Sequence, residues 1–286
     1  MKKSGIAFIT GCSSGIGKEL TRQLLQHDWT VYAGVRRVAS LADVNDPGLH
    51  PVALEVNQPD QIAAAMELIK SQHGRLDLLV NNAGYGAMGP LVEMPLKEIR
   101  TQFETNTFAP LALIQAAFPL LRNSRQARII NIGSVSGILV TPFSGAYCAT
   151  KAALHILSDA LRMELAPFGI KVITVQPGAI ESDFANTAEA GLAATLPQDS
   201  LYTPIREFIE KRARASKQNP TPTVRFVGEV VKVIHHPHPP ATVRIGYGGT
   251  SLPLLKRWLP GKWLDLILSR TFGLNRLTRI YQKPAE

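Results

Sequence analysis

The chain has 286 residues, 45% of them apolar, with 31 Lys/Arg against 22 Asp/Glu and a formal charge of +9. That size suits one large α/β domain or two small ones with a full core. The first apolar run, after Lys2-Lys3-Ser4, is too short for a signal peptide or a membrane span. The only cysteines, Cys12 and Cys148, each adjoin a motif, which argues against a structural disulfide and for a reducing, cytoplasmic setting. The charge is uneven: residues 1–205 carry 16 basic and 17 acidic side chains, residues 206–286 carry 15 and 5. A basic last third fits either an anionic partner (membrane, nucleic acid or acidic protein) or a solvated face.

In chain order, 5–9 reads as a strand. It runs into Thr10-Gly11-Cys12-Ser13-Ser14-Gly15-Ile16-Gly17 and then the amphipathic start Lys18-Glu19-Leu20. Strand, tight glycine turn and helix form the frame of a dinucleotide site. Glycines allow the turn and the close approach of a ligand, and the helix start offers free N–H groups to a phosphate. Cys12 is read as a small residue filling the turn. A second strand at 30–35 ends in Arg36-Arg37, where a dinucleotide fold preferring NAD often places a carboxylate. A guanidinium fork there matches a 2′-phosphate; two surface arginines in a loop are the bland alternative.

Further strands are expected at 51–56, 76–80, 128–132, 171–175 and 242–245, with helices at 58–73 and 146–168. Short strands joined by helices imply a parallel sheet covered on both faces. The expected fold class is thus α/β: a single Rossmann-type, doubly wound, parallel seven-stranded sheet in the order 3-2-1-4-5-6-7. Asn81-Asn82-Ala83-Gly84 follows the fourth strand, as ligand-facing small residues or as turn formers. Ser134 follows the fifth, and Tyr147 and Lys151 share a helix face at i and i+4. A nearby ammonium would lower the phenol pKa from its usual ~10; an exposed Tyr–Lys pair is the alternative. Gln176-Pro177-Gly178 closes the sixth strand, with Ile180 and Ser182 beyond it, where a rigid turn can present backbone groups to a planar amide.

Residues 180–222 carry Gly191, Pro197, Pro204 and Pro220 around a helical segment near 205–217, and read as a lid bearing Phe184, Leu192, Leu196, Leu201 and Phe208. His235-His236-Pro237-His238 is read as a solvated helix end rather than a metal site, and no metal is expected. The domain spans 1–250 and a basic amphipathic extension 251–286. Within it, Pro260 and Gly273 bracket a helix of about three turns. Trp263, Leu264, Ile267 and Leu268 are expected on one face, with Lys262, Asp265 and Ser269 elsewhere. Such a stretch (251–281) packs on the body over the site, lies in a membrane interface as a peripheral contact on the inner face, or dimerises.

Thr10-Gly11-x-x-x-Gly15-x-Gly17, Asn81-Asn82-Ala83-Gly84, Ser134, Tyr147-x-x-x-Lys151 and Pro177-Gly178 stand in the order and spacing of the short-chain dehydrogenase/reductase family, classical branch. The chain resembles that family over about residues 4–184. Through Thr10–Gly17, Arg36, Gly86-x-x-Gly89-Pro90-Leu91 and Leu161-Arg162-Met163-Glu164-Leu165, it looks most like the 17-beta-hydroxysteroid and retinol dehydrogenases and their bacterial aldehyde-reductase relatives. The resemblance implies NADP(H) and hydride transfer on the carbonyl/alcohol couple of a bulky apolar aldehyde, retinoid or steroid-like substrate. It implies Tyr147 as acid/base, Ser134 orienting the substrate oxygen, and Lys151 lowering the tyrosine pKa and holding the nicotinamide ribose. Asn106 would hold a relay water on its backbone carbonyl. Pro110, four residues on, has no N–H to return to that carbonyl, although a proline is also tolerated in a first helical turn.

The implied cofactor residues are Gly11, Ser13, Ser14, Gly15, Ile16, Gly17, Arg36, Glu55, Asn82, Ala83, Gly84, Tyr147, Lys151, Pro177, Gly178, Ile180 and Ser182. Glu55 stands where relatives usually have an aspartate on the adenine, and Ser182 where they have a threonine near the carboxamide. Helix 146–168 is the surface many relatives use to form homodimers or homotetramers. The competing readings are a non-catalytic NADP(H)-binding sensor or scaffold, a nucleotide-sugar epimerase, and a nucleic-acid-binding tail. The first usually lacks the tyrosine or lysine, the second needs a longer substrate domain, and the third has no recognisable motif.

Overall fold

A computed structural model of the chain describes residues 5–282; the basic start and the end of the C-terminal extension lie outside the described residues. The strands are β1 (Gly5–Thr10), β2 (Trp29–Val35), β3 (Leu49–Ala53), β4 (Leu78–Asn81), β5 (Arg128–Ile132), β6 (Lys171–Pro177) and β7 (Thr242–Ile245). They form one sheet in the order β3-β2-β1-β4-β5-β6-β7, parallel throughout. The doubly wound α/β architecture and its strand order are as the sequence implies.

Alternation along each strand splits the core in two. Ile6 and Phe8 of β1 face a layer built by α2 (Pro59–His73), α4 (Ala109–Arg122) and α5 (Gly145–Leu165). Ala7 and Ile9 face α1 (Gly15–Gln26) and α9 (Thr223–His235). β3 ends earlier than its apolar run. Leu54 N–H still reaches the Val35 carbonyl at 2.8 Å, but Glu55 N–H turns to Gln61 Oε1 at 2.6 Å, so the ladder stops. Pro51 is accommodated because β3 is the sheet edge and pairs with β2 alone.

Helix α3 (Leu96–Phe103) runs through a π-helical turn at Glu104–Phe108 into α4. In an α-helix the Asn106 carbonyl would receive the N–H of residue 110, a proline without one, and the helix widens at that spot.

The excursion after β6 holds α6 (Phe184–Ala190), α7 (Leu192–Thr195) and α8 (Arg206–Ala213). Leu192 and Leu196 are buried in a third cluster with Phe143, Tyr147 and Ile209, and Phe184 and Phe208 pack against it. Leu201 departs from the expected apolar lining: it is 63% exposed.

Beyond β7 come α10 (Ser251–Trp258), α11 (Gly261–Thr271) and α12 (Leu274–Tyr281). The α11–α12 junction and α12 pack against the excursion after β6. Phe272, Leu274 and Leu277 join the third cluster, and Arg276 meets Glu207 at 2.6 Å while covering the Phe208 ring. Helix α11 has the expected three turns, but its apolar residues do not share one environment. Leu264 is buried and Leu268 half-buried, whereas Trp263 and Ile267 are 61% and 44% exposed. The i, i+4 pair is the covered one, and the residues one position earlier turn to solvent.

Candidate active site

The carboxyl ends of β1, β2, β4, β5 and β6 open into a cavity of about 1120 Å³. It lies at the point where the strand order reverses between β1 and β4, the crevice in which doubly wound sheets bind ligands. Its cofactor half begins at the glycine turn. Gly11 has φ +71°, and a Cβ there would stand 2.9 Å from the Ala83 backbone. Ser14 caps α1 with no side-chain hydrogen bond, so the first helical amides have no partner from it and are free for a phosphate. This uncapped, glycine-lined cradle fits the pyrophosphate of a dinucleotide.

Most residues expected at the cofactor line this cavity: Gly11, Ser13, Ser14, Gly15, Ile16, Arg36 and Glu55 on one side, and Asn82, Ala83, Gly84, Pro177, Gly178, Ile180 and Ser182 on the other. Gly17 does not line it. A Cβ at Gly17 would sit 2.3 Å from the Gly11 carbonyl, so its task is to let α1 pack against the turn rather than to touch a ligand. Arg36 is exposed and pairs with no carboxylate among the described residues. Asn81 and Asn82 have separate uses. Asn82 Nδ2 donates to the carbonyls of Thr10 (2.9 Å) and Gly11 (3.1 Å), tying β4 to the glycine turn. Asn81 is buried, donates to Asn131 Oδ1 at 2.8 Å, and belongs to the core.

At the other end, Ser134, Tyr147 and Lys151 line the cavity together. Ser134 begins a short 3₁₀ turn, its Oγ accepting the Ser136 N–H at 3.1 Å. Lys151 Nζ donates to the Ile132 carbonyl at 2.8 Å, and a Cβ on Gly84 would stand 3.5 Å from it. Asn106 lies behind the wall. Its Oδ1 accepts from Tyr85 N–H (3.0 Å), and its Nδ2 donates to the Tyr85 carbonyl (2.8 Å) and Thr150 Oγ1 (3.1 Å), which locks the π turn beneath Gly84.

Burial dominates the electrostatics. It pushes the Tyr147 phenol up to about 12, opposed by the Ser134 hydroxyl and the Arg212 charge. It pushes Lys151 down to about 8. Lys151 is anchored on a main-chain carbonyl, and the charge of Arg212, from α8, also bears on the phenol and lowers its pKa. Arg212 was not legible as a site residue, because a basic residue in a helix of basic residues carries no local signal. His155, one turn beyond Lys151, is another. Its ring fills the space between Gly133 and Gly137, where Cβ atoms would stand 2.3 and 2.6 Å from it. Leu252 and Phe272 of the C-terminal extension also line the cavity.

The cysteines Cys12 and Cys148 are both buried and free, and burial pushes the Cys12 thiol up to about 12. In the histidine tract, His235 Nε2 accepts from the Trp29 indole at 3.2 Å.

Comparison with known proteins agrees with this geometry. The short chain dehydrogenase family profile matches residues 5–193. A 3-ketodihydrosphingosine reductase of Bacteroides thetaiotaomicron is 31% identical over 92% of the chain and 96% of its own length. An NADPH-dependent 1-acyldihydroxyacetone phosphate reductase of Saccharomyces cerevisiae is 28% identical over 95% and 92%. Among solved structures, a short chain dehydrogenase from Burkholderia cenocepacia in complex with NADP superposes with a TM-score of 0.72, at 25% identity over 93% of this chain and 98% of that one.

Proposed function

The chain belongs to the short-chain dehydrogenase/reductase family, and we propose that it interconverts a carbonyl and an alcohol on a bulky, largely apolar substrate, using NADP(H). The observation that carries this reading is the meeting of Ser134, Tyr147 and Lys151 on one wall of the cavity whose other end is the glycine turn. When bound, the dinucleotide supplies the hydride. The Tyr147 hydroxyl gives its proton to the substrate oxygen in reduction and takes it back in oxidation. A phenol held at about 12 by burial is in the protonated, donor form at neutral pH, though burial makes it the weaker acid. Ser134 donates to the same substrate oxygen and orients it. Lys151 holds the nicotinamide-side ribose, with the Asn106 carbonyl in the π turn as the water anchor of the relay. Arg36 meets the 2′-phosphate; the NADP complex of the Burkholderia relative and the NADPH dependence of the yeast one support that choice.

The apolar substrate class is supported by the third cluster, against which Phe184 packs 5.3 Å from the Tyr147 ring, and by the 3-ketodihydrosphingosine and 1-acyldihydroxyacetone phosphate named for two relatives. A peripheral membrane contact through 251–281 belongs to the same reading. Trp258 and Trp263 are 75% and 61% exposed, and residues 251–282 carry six Lys/Arg and one Asp. No helix among the described residues is long and apolar enough to cross a membrane.

The test is NADPH oxidation against long-chain ketones, aldehydes, retinoids and steroids, with Tyr147→Phe as control. Turnover on apolar carbonyls should fall on the order of 10²–10⁴-fold in the variant, the range for loss of a positioned acid, with NADPH binding retained. Best turnover on small polar sugars, or full activity in Tyr147→Phe, refutes the assignment.

A further inference from the structure

Arg212 is a cation on the wall of the reaction cavity without an anion. Its Nε donates to Thr141 Oγ1 at 2.7 Å. No Asp or Glu among the described residues forms an ion pair with it. Neither Nη nitrogen has an acceptor among the described residues. Its neighbours in the lid behave otherwise. Arg206 meets Glu210 at 3.1 Å, and Arg214 and Lys217 both meet Glu189, all toward solvent. The lid satisfies those cations on its outer face and leaves Arg212 alone on the cavity side.

The side chain is held, not loose. Thr141 Oγ1 also lies 2.9 Å from Ser144 Oγ. The loop between them carries Phe143 at φ +64°, a left-handed conformation that costs a non-glycine residue energy. Phe143 is kept there by edge contacts to Tyr202 and Phe272 at 6.0 and 6.4 Å. Partly desolvating a guanidinium without an anion is unfavourable, and its remaining N–H fork matches the geometry of a carboxylate or phosphate. The same cavity is also lined by the apolar side chains of Leu139, Phe184 and Phe272. Arg212 is also close enough to Tyr147 for its charge to act on the phenol.

We propose that Arg212 binds an anionic group, a carboxylate or a phosphate monoester, carried within a few bonds of the reacting carbonyl on an otherwise apolar substrate. The proposal rests on the carbonyl/alcohol reading above and narrows it from apolar to amphipathic substrates. A charge-assisted fork of this kind is worth about 10- to 100-fold in specificity.

The experiment compares kcat/KM, with NADPH, for two matched pairs: 1-O-hexadecyl dihydroxyacetone phosphate against its dephosphorylated form, and 4-oxododecanoate against its methyl ester. The wild-type protein should prefer the anionic member of at least one pair by about tenfold or more, and the pair that responds identifies phosphate or carboxylate. In Arg212→Met the preference should collapse toward one; Arg212→Lys, which keeps the charge and loses the fork, should retain part of it. NADPH binding by fluorescence verifies that each variant is folded. Equal or inverted wild-type preference in both pairs overturns the proposal. So does an Arg212→Met variant that slows both members of a pair alike and shifts only the pH profile, since Arg212 would then act through Tyr147 alone.

If Arg212→Met does not fold, Arg212→Lys decides by the same ratio. If the wild-type protein binds NADPH but reduces no carbonyl, the carbonyl reading has failed by itself. The Arg212 site is then tested on the NADP-loaded protein by thermal shift: stabilisation by dodecyl phosphate or laurate, but not by dodecanol, supports it, and equal response refutes it.

Discussion

The backbone N–H of Ser134 donates to Nε2 of His155 at 3.3 Å, so a ring on α5 sets the main chain that presents the candidate catalytic serine. On its other side the ring faces Gln176, whose Oε1 accepts from Arg244 Nε at 2.9 Å. Burial holds the His155 pKa at about 4, helped by the Lys151 and Arg244 charges and opposed by Asp159. The neutral ring is therefore the folded form. The unfolded chain takes up the proton first, near pH 6.5, so stability falls as pH drops from about 6.5 to 4 and levels off below. The difference amounts to on the order of 3 kcal/mol at the acid end. Urea unfolding of the wild-type protein and His155→Gln between pH 7 and 4 checks it. Stability of the variant should fall less steeply, and parallel curves contradict the assignment.

Lys151, with its pKa at about 8 by burial, should make cofactor affinity pH-dependent. Binding draws on the ammonium form, so the NADPH dissociation constant should rise as pH passes upward through about 8. Fluorescence titration from pH 6.5 to 9.5 measures this. Lys151→Ala should lose both affinity and turnover and should show no step near 8. A flat wild-type profile, or loss of turnover alone in the variant, speaks against the ribose role.

Arg36 should carry the choice of cofactor. Arg36→Ala should weaken NADPH about 10- to 100-fold, the span of a charged hydrogen bond, with little effect on NADH. Isothermal titration with both dinucleotides decides, and equal wild-type affinity for the two removes the 2′-phosphate reading.

The exposed tryptophans of the extension should govern any lipid contact. Deleting the extension is a poor test, because Leu252 and Phe272 line the cavity and the deletion would open it. The full chain carrying Trp258→Ser and Trp263→Ser keeps the buried Leu264 in place. The wild-type protein should sediment with phosphatidylglycerol vesicles at low salt and less at high salt, and the double variant should stay in solution. A wild-type protein that remains in the supernatant at low salt leaves the extension as lid packing only.

Local order carried most of what the sequence revealed. A two-residue alternation, a 3.6-residue stripe and a glycine turn each occupy a few neighbouring positions, so β1 to β7, α1, α5 and the Tyr147–Lys151 face could be read directly. Even the proline that leaves the Asn106 carbonyl without its α-helical donor is visible four residues away, although the π turn itself is not. The tertiary structure alone decided which side chain completes the cavity. Arg212 and Tyr147 are 65 positions apart in sequence, and nothing in α8 distinguishes Arg212 from Arg206 or Arg214 until the lid folds over the sheet. The split of α11, with Leu264 inside and Trp263 outside, is of the same kind. An apolar stripe states that a helix has something to bury, but the width of the partner surface determines how many of its residues are covered.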